Sequence, residues 1–289
     1  MVLESLTTPQ KAEKSPWDLI FIGAMYSAIA VFLSIWVFKE EASIVMVLLT
    51  VIASLPLIFN TITFEEEKGS VLPNERALLR EHSKALTFFT LMFVGFVFAF
   101  SLAYIFLPEA LATQVFDSQL NTIKNINTRT ADNGRLDGAS VGGMILFLQI
   151  LSNNLKVLLF CLFFSFFYGA GAIFILTWNA SVISAAIGTY FRDHIGAYAS
   201  SLGFSSVASY FGVYSLSLLR YFIHGIPEIL GYYIGGLAGG IISVAVIRHD
   251  FGTPLFNKIM VDSLYLIILA IAVLVGASFI EVYVTPAFF

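Results

Sequence analysis

Five stretches without a charged residue, 19–38, 42–64, 85–108, 157–191 and 229–247, set the terms for this 289-residue chain. A helix needs about 20 apolar residues to cross a hydrocarbon core of roughly 30 Å. In lipid every backbone N–H and C=O must be satisfied within the protein, so such runs become helices rather than loops or open strands. Composition agrees, with 58% of residues hydrophobic and 12% charged, where a soluble domain carries about 25% charged. A soluble enzyme is excluded. So is an outer-membrane barrel, whose strands would give short alternating segments. The fold class is all-α: a polytopic transmembrane bundle, with the lipid bilayer as its first partner.

Charge narrows the remaining partners. The 15 basic and 19 acidic residues give a net charge of −4, with no dense basic stretch, so nucleic acid is not a partner. The single cysteine, Cys161, lies inside an apolar run and reads as a packed apolar side chain. The first apolar stretch has no small-residue cleavage site closely following it and reads as a retained span, not a signal peptide.

Seven crossings are expected, near 17–38, 42–59, 86–107, 156–176, 206–223, 227–247 and 262–284. Lys39-Glu40-Glu41 is too short for anything but a tight turn, so residues 1–60 form an N-terminal hairpin. A charged connector follows over 61–85, part of it an amphipathic surface helix after Pro73, and a polar outer loop over 108–143. Residues 144–156 read as an interfacial helix. The uncharged run 157–191 would be roughly 52 Å as one helix at about 1.5 Å per residue, so a break is expected at Trp178-Asn179. Residues 180–191 then form a re-entrant or interfacial segment. Basic residues near span ends number nine on one side and five on the other, Lys156 among the five. That bias puts the N-terminus in the cytoplasm of a cell-membrane protein.

Ionisable groups inside a span cost about 2.5–3.5 kcal/mol each on insertion scales, so each needs a partner or a function. Arg220, His224 and Glu228 recur every fourth residue, but Pro227 lacks the N–H that would bond to Ile223, and Gly225 adds backbone freedom. A break between two helices is expected there, lined by His224 and Glu228. Three readings stay open: a structural ion pair, a ligand, ion or proton site at a broken helix, and a metallohydrolase. His224 and Glu228 are two ligands where zinc takes at least three from protein, no His-Glu-x-x-His is present, and Glu281 is the candidate for a third. No catalytic residue, cofactor or metal is assigned. Asn153, Asn154 and Asn179 read as amides that cap helix ends or bond between helices. Gly169 and Gly171, and Gly231, Gly235 and Gly239, read as close helix-packing faces, toward the same chain or toward a second copy.

Asn153-Asn154-Leu155, Gly169-Ala-Gly171, Trp178-Asn179-Ala180 and above all His224-Gly225-Ile226-Pro227-Glu228 resemble the stage II sporulation protein M family, as does the final Glu281-Val-Tyr-Val-Thr-Pro286. The resemblance covers about 86–286, and Asn179-Ala180 stands where the family usually has Asn-Gly. It implies a membrane anchor or scaffold that works with cell-wall hydrolases in spore formers, and a more general role elsewhere. The expected function is therefore a non-enzymatic integral membrane scaffold, forming a homo-oligomer or assembling with other membrane proteins. A transporter or channel element at His224–Glu228 is the alternative.

Overall fold

The computed structural model describes residues 15–71, 75–124, 139–165, 170–202, 207–247 and 252–288; within these, the side chains at 65–71, 75–82, 139–142, 170–172, 196–202, 207–213, 216, 217, 220 and 288 are not described. The described residues are almost entirely helical. Helix α1 (Asp18–Val37) turns through a 3₁₀ step at Lys39–Glu41 into α2 (Ala42–Val71), giving the expected hairpin. Helix α3 spans Glu75–Phe106, and a short α4 (Glu109–Val115) follows it. Then come α5 (Ala139–Ser165), α6 (Ala170–Leu202), α7 (Val207–Ile247) and α8 (Pro254–Phe279), a π turn (Ile280–Val284) and a terminal α9 (Thr285–Phe288).

Among the described residues seven helices are long and apolar enough to cross a membrane: 18–37, 39–64, 83–106, 143–165, 173–195, 221–247 and 254–287. The expected number holds, but three of its members change. The break at Trp178-Asn179 does not occur, because α6 runs unbroken from 170 to 202 and 173–195 is a full span. Residues 144–156 are the first half of the 143–165 span rather than an interfacial helix, which moves Lys156 from a span end into its interior. The stretch 206–223 is not a separate crossing, since α7 is one 41-residue helix with Pro227 inside it.

Glycine sets the closest contacts. Gly23 of α1 and Gly95 of α3 lie against each other's helix backbone, so a Cβ at either would collide with Met92 O or Ile20 O. With α1 locked there, its other face turns outward: Trp17, Phe21, Met25, Ile29, Phe32 and Trp36 are all exposed. Trp17 and Trp36 are 19 residues apart, about 28 Å of helix, which matches the hydrocarbon thickness and puts an aromatic anchor at each interface. Inside the bundle, several hydroxyls bond back to the preceding turn. Ser27 donates to Gly23 O, Thr50 to Met46 O and Ser165 to Cys161 O, all within 3.0 Å. Cys161 is fully buried among apolar side chains, as expected.

The first part of the polar segment after α3, residues 109–124, packs back onto the bundle, and 125–138 lie outside the described residues. Ala112, Val115 and Phe116 are fully buried, and Phe116 stacks edge-on against Tyr104 at 5.2 Å. Gln119, in the helical stretch 117–124, is also fully buried. Its carbonyl accepts from Ser43 Oγ at 2.8 Å, and its amide donates to Ser43 O and to Ser181 Oγ at 3.3 and 3.1 Å. Nearby, the Arg192 guanidinium of α6 donates to Tyr104 O, Ile105 O and Leu107 O, and lies 5.1 Å from the Tyr104 ring centroid. A side chain from one helix thus satisfies carbonyls left open at the end of another.

Candidate intramembrane polar site

The site is built where α5, α7 and the end of α8 meet. Glycine positions on α7 allow the approach: a Cβ on Gly231 would meet Leu274 at 2.7 Å, one on Gly235 would collide with Leu158, and one on Gly239 would meet Ser165 at 2.7 Å. The expected glycine face on α7 is therefore consumed within one chain, against α8 and α5. Gly171 begins α6, and Gly169 lies outside the described residues.

Between these contacts sits a polar chain. Tyr232 Oη donates to Glu228 Oε1 at 2.7 Å and lies 3.1 Å from Asn154 Oδ1. It holds one proton for two acceptors, and the shorter bond goes to the carboxylate. Asn154 Nδ2 donates to Ser278 Oγ at 3.4 Å, and Ser278 donates to Leu274 O at 2.9 Å. One turn away, His224 Nδ1 and Thr285 Oγ1 are 3.3 Å apart, and Thr285 also donates to Ile280 O. Three helices are thereby cross-tied by hydrogen bonds in a setting with no water to replace them.

The π turn supplies the remaining carboxyl. Ser278, Glu281 and Thr285 follow at i, i+3 and i+7, one face of the helix end. Glu281 lies within electrostatic range of Glu228 and Tyr232. One buried phenol is thus bonded to the carboxyl from α7, with that of the π turn in electrostatic range. The π turn widens the helix by one residue at this position, a feature frequent at functional sites.

The sequence-selected residues divide. Glu228, Asn154, Glu281 and His224 come together, while Arg220 lies on α7 with its side chain outside the described residues. Asn153 is exposed on the outer face of α5 and Asn179 is half-buried mid-helix on α6, so neither caps a helix end and neither joins the cluster. The expected broken helix is absent, because α7 continues through Gly225 and Pro227. Proline removes a single backbone bond, and packing on both sides of α7 holds the rest of the ladder. Among the described residues no three His, Cys, Asp or Glu side chains come together as metal ligands, so Glu281 does not complete a set with His224 and Glu228. Sequence reasoning missed Tyr232 and Ser278. Tyr232 stands four residues after Glu228, one helical turn, and that spacing was the available signal.

These features define a polytopic helical membrane protein with a polar knot near mid-bundle. The chain belongs to the stage II sporulation protein M family, whose sequence profile matches residues 85–286, more than two thirds of its length. No curated protein and no solved structure matches it. The hairpin α1–α2 precedes the matched region and packs against α3 and α6.

Proposed function

We propose that the chain is a non-enzymatic integral membrane scaffold of the cell membrane, acting by assembly with other membrane proteins or with further copies of itself. One observation carries this reading. The polar side chains of Glu228, Tyr232, Asn154, Ser278, His224 and Thr285 bond to one another and to the helix backbone across α5, α7 and the end of α8. A cluster spent in this way fixes the relative placement of helices and so the shape of the outer surface. Family membership favours the same role. Native mass spectrometry of the full chain, extracted in mild detergent from its own membranes, tests it. A complex of stable composition is expected, and a lone monomer overturns the proposal.

A second reading, a transport or channel element, is favoured by two carboxyls, Glu228 and Glu281, held within electrostatic range of one another. It requires that proteoliposomes of the wild-type chain collapse an imposed pH gradient faster than those of Glu228→Gln. Equal rates remove it.

A further inference from the structure

Helix α5 carries a feature that the polar knot does not use. Gln149, Ser152, Asn153 and Lys156 follow at i, i+3, i+4 and i+7, and all four are exposed on the outer face of the helix. Among the described residues none of the four side chains makes a hydrogen bond or ion pair. Apolar side chains flank them on the same surface, with Met144 and Leu148 before, and Leu159, Phe160 and Phe163 after.

Depth makes this stripe unusual. Within the described apolar segment 143–165, Lys156 is 13 residues from Gly143 and nine from Ser165, about 20 and 13 Å of rise. Neither distance is comfortable for snorkelling. An uncompensated lysine with three polar neighbours facing lipid is expensive, and such groups in native spans are covered by protein or line a water-filled path.

A second copy is a poor cover. Two copies in one membrane share an orientation, so their two-fold axis lies along the membrane normal and every contact joins residues of equal depth. On the axis Lys156 would face Lys156, and off the axis it would need an exposed carboxyl at its own depth. The carboxyls of the knot offer none: Glu228 accepts from Tyr232 Oη, and neither Glu228 nor Glu281 is exposed. Charge complementarity therefore selects a different chain.

We infer that the outer face of α5 over Gln149–Lys156 is the docking surface for a transmembrane helix of another membrane protein, one carrying an Asp or Glu at mid-depth with hydroxyl or amide groups beside it. The carboxylate pairs with Lys156, while Gln149, Ser152 and Asn153 bond to the neighbouring polar groups and fix the register. This rests on the scaffold reading and gives it a contact surface.

The test uses the full chain in phosphatidylcholine vesicles and three synthetic polyleucine helices of spanning length, with Glu, Gln or Leu at the centre, association being read by energy transfer. The Glu helix is expected to associate roughly tenfold more tightly than the Leu helix, and Lys156→Met to abolish that difference. Lys156→Glu should transfer the preference to a Lys-bearing helix, which separates recognition from misfolding. Equal association of the Glu and Leu helices, or a preference that survives Lys156→Met, overturns the inference. So does loss of self-association in Lys156→Met with no response to the Glu helix, which would name a second copy as occupant. So does a Lys156-dependent retention of phosphatidylglycerol without helix binding, which would name a lipid. The two proposals fail separately: native complexes indifferent to Lys156→Met remove the docking surface and keep the scaffold, whereas a lone monomer in native membranes removes both.

Discussion

At the scale of single residues, the strongest constraints are hydrogen bonds with no water to substitute for them. Tyr232→Phe keeps the ring and removes the proton shared by Glu228 and Asn154. We expect it to destabilise the detergent-solubilised chain by about 1–2 kcal/mol, measured as a fall in apparent melting temperature. Combined with Asn154→Leu, its cost should be less than additive, since both act on one network. Arg192→Ala removes the donor to three carbonyls at the end of α3 and should cost about 1.5–3 kcal/mol. Arg192→Lys should recover only part of that, because an ammonium keeps the charge and loses the planar fork. Hydrogen exchange at residues 104–107 reports the same loss locally. His224, Glu228 and Asn154 were legible in the sequence because polar groups in apolar runs stand out. Arg192 was not, because a basic residue beside an apolar run reads as an ordinary span end, and only the fold brings it to Tyr104. Lys156 was misplaced for a related reason: three polar residues before it, Ser152-Asn153-Asn154, mimic the edge of a membrane.

At the scale of elements, the packing rests on glycines that differ sharply in what surrounds them. A Cβ at Gly235 would collide with Leu158, so Gly235→Ala should cost about 1–3 kcal/mol through overpacking between α7 and α5. Gly276 on α8 has nothing within 4 Å of such a Cβ. Gly276→Ala should therefore be neutral, or stabilising by about 0.5–1 kcal/mol through helix propensity alone. The pair of melting temperatures checks both, and equal shifts would contradict the contact assignment. The same elements mark the limit of reading helices from sequence. Apolar length located five of the seven spans to within a few residues at one end or the other, whereas breaks were placed at Asn179 and Pro227 where none exist. Local propensity is a weak term once a helix is packed among others. The 35 uncharged residues 157–191 are shared between α5, which ends at Ser165, and α6, which begins at Ala170, with no interruption at Trp178. The residues between those two helix ends, Phe166-Phe167-Tyr168-Gly169, carry no charge, so hydropathy gives no sign of the boundary.

At the scale of the whole molecule, if all seven apolar helices among the described residues cross, residues before the first and after the last lie on opposite faces of the membrane. With the spans as they stand, and the N-terminus inside, Lys11, Lys14, Lys68, Arg76, Arg80, Lys84, Arg248 and Lys258 fall on the cytoplasmic side. Lys39, Lys124, Arg129, Arg135, Arg192 and Arg220 fall outside, so the bias points the same way with a smaller margin. Cys161 is buried and gives a quiet background for thiol labelling. In intact cells an impermeant maleimide should label Glu40→Cys and Ala287→Cys and spare Lys84→Cys. The reverse pattern inverts the orientation, and labelling of Glu40→Cys and Ala287→Cys from different sides contradicts an odd number of spans. The buried amide of Gln119 adds a condition on how this molecule comes to exist. Its partners are Ser43, already synthesised, and Ser181, which lies 62 residues further along the chain. During synthesis the segment 109–124 can dock on the first three helices, but one of its amide protons waits without its final acceptor until α6 has entered the membrane. The tuck behind α3 is thus a checkpoint in assembly, closed by a helix that arrives two crossings later.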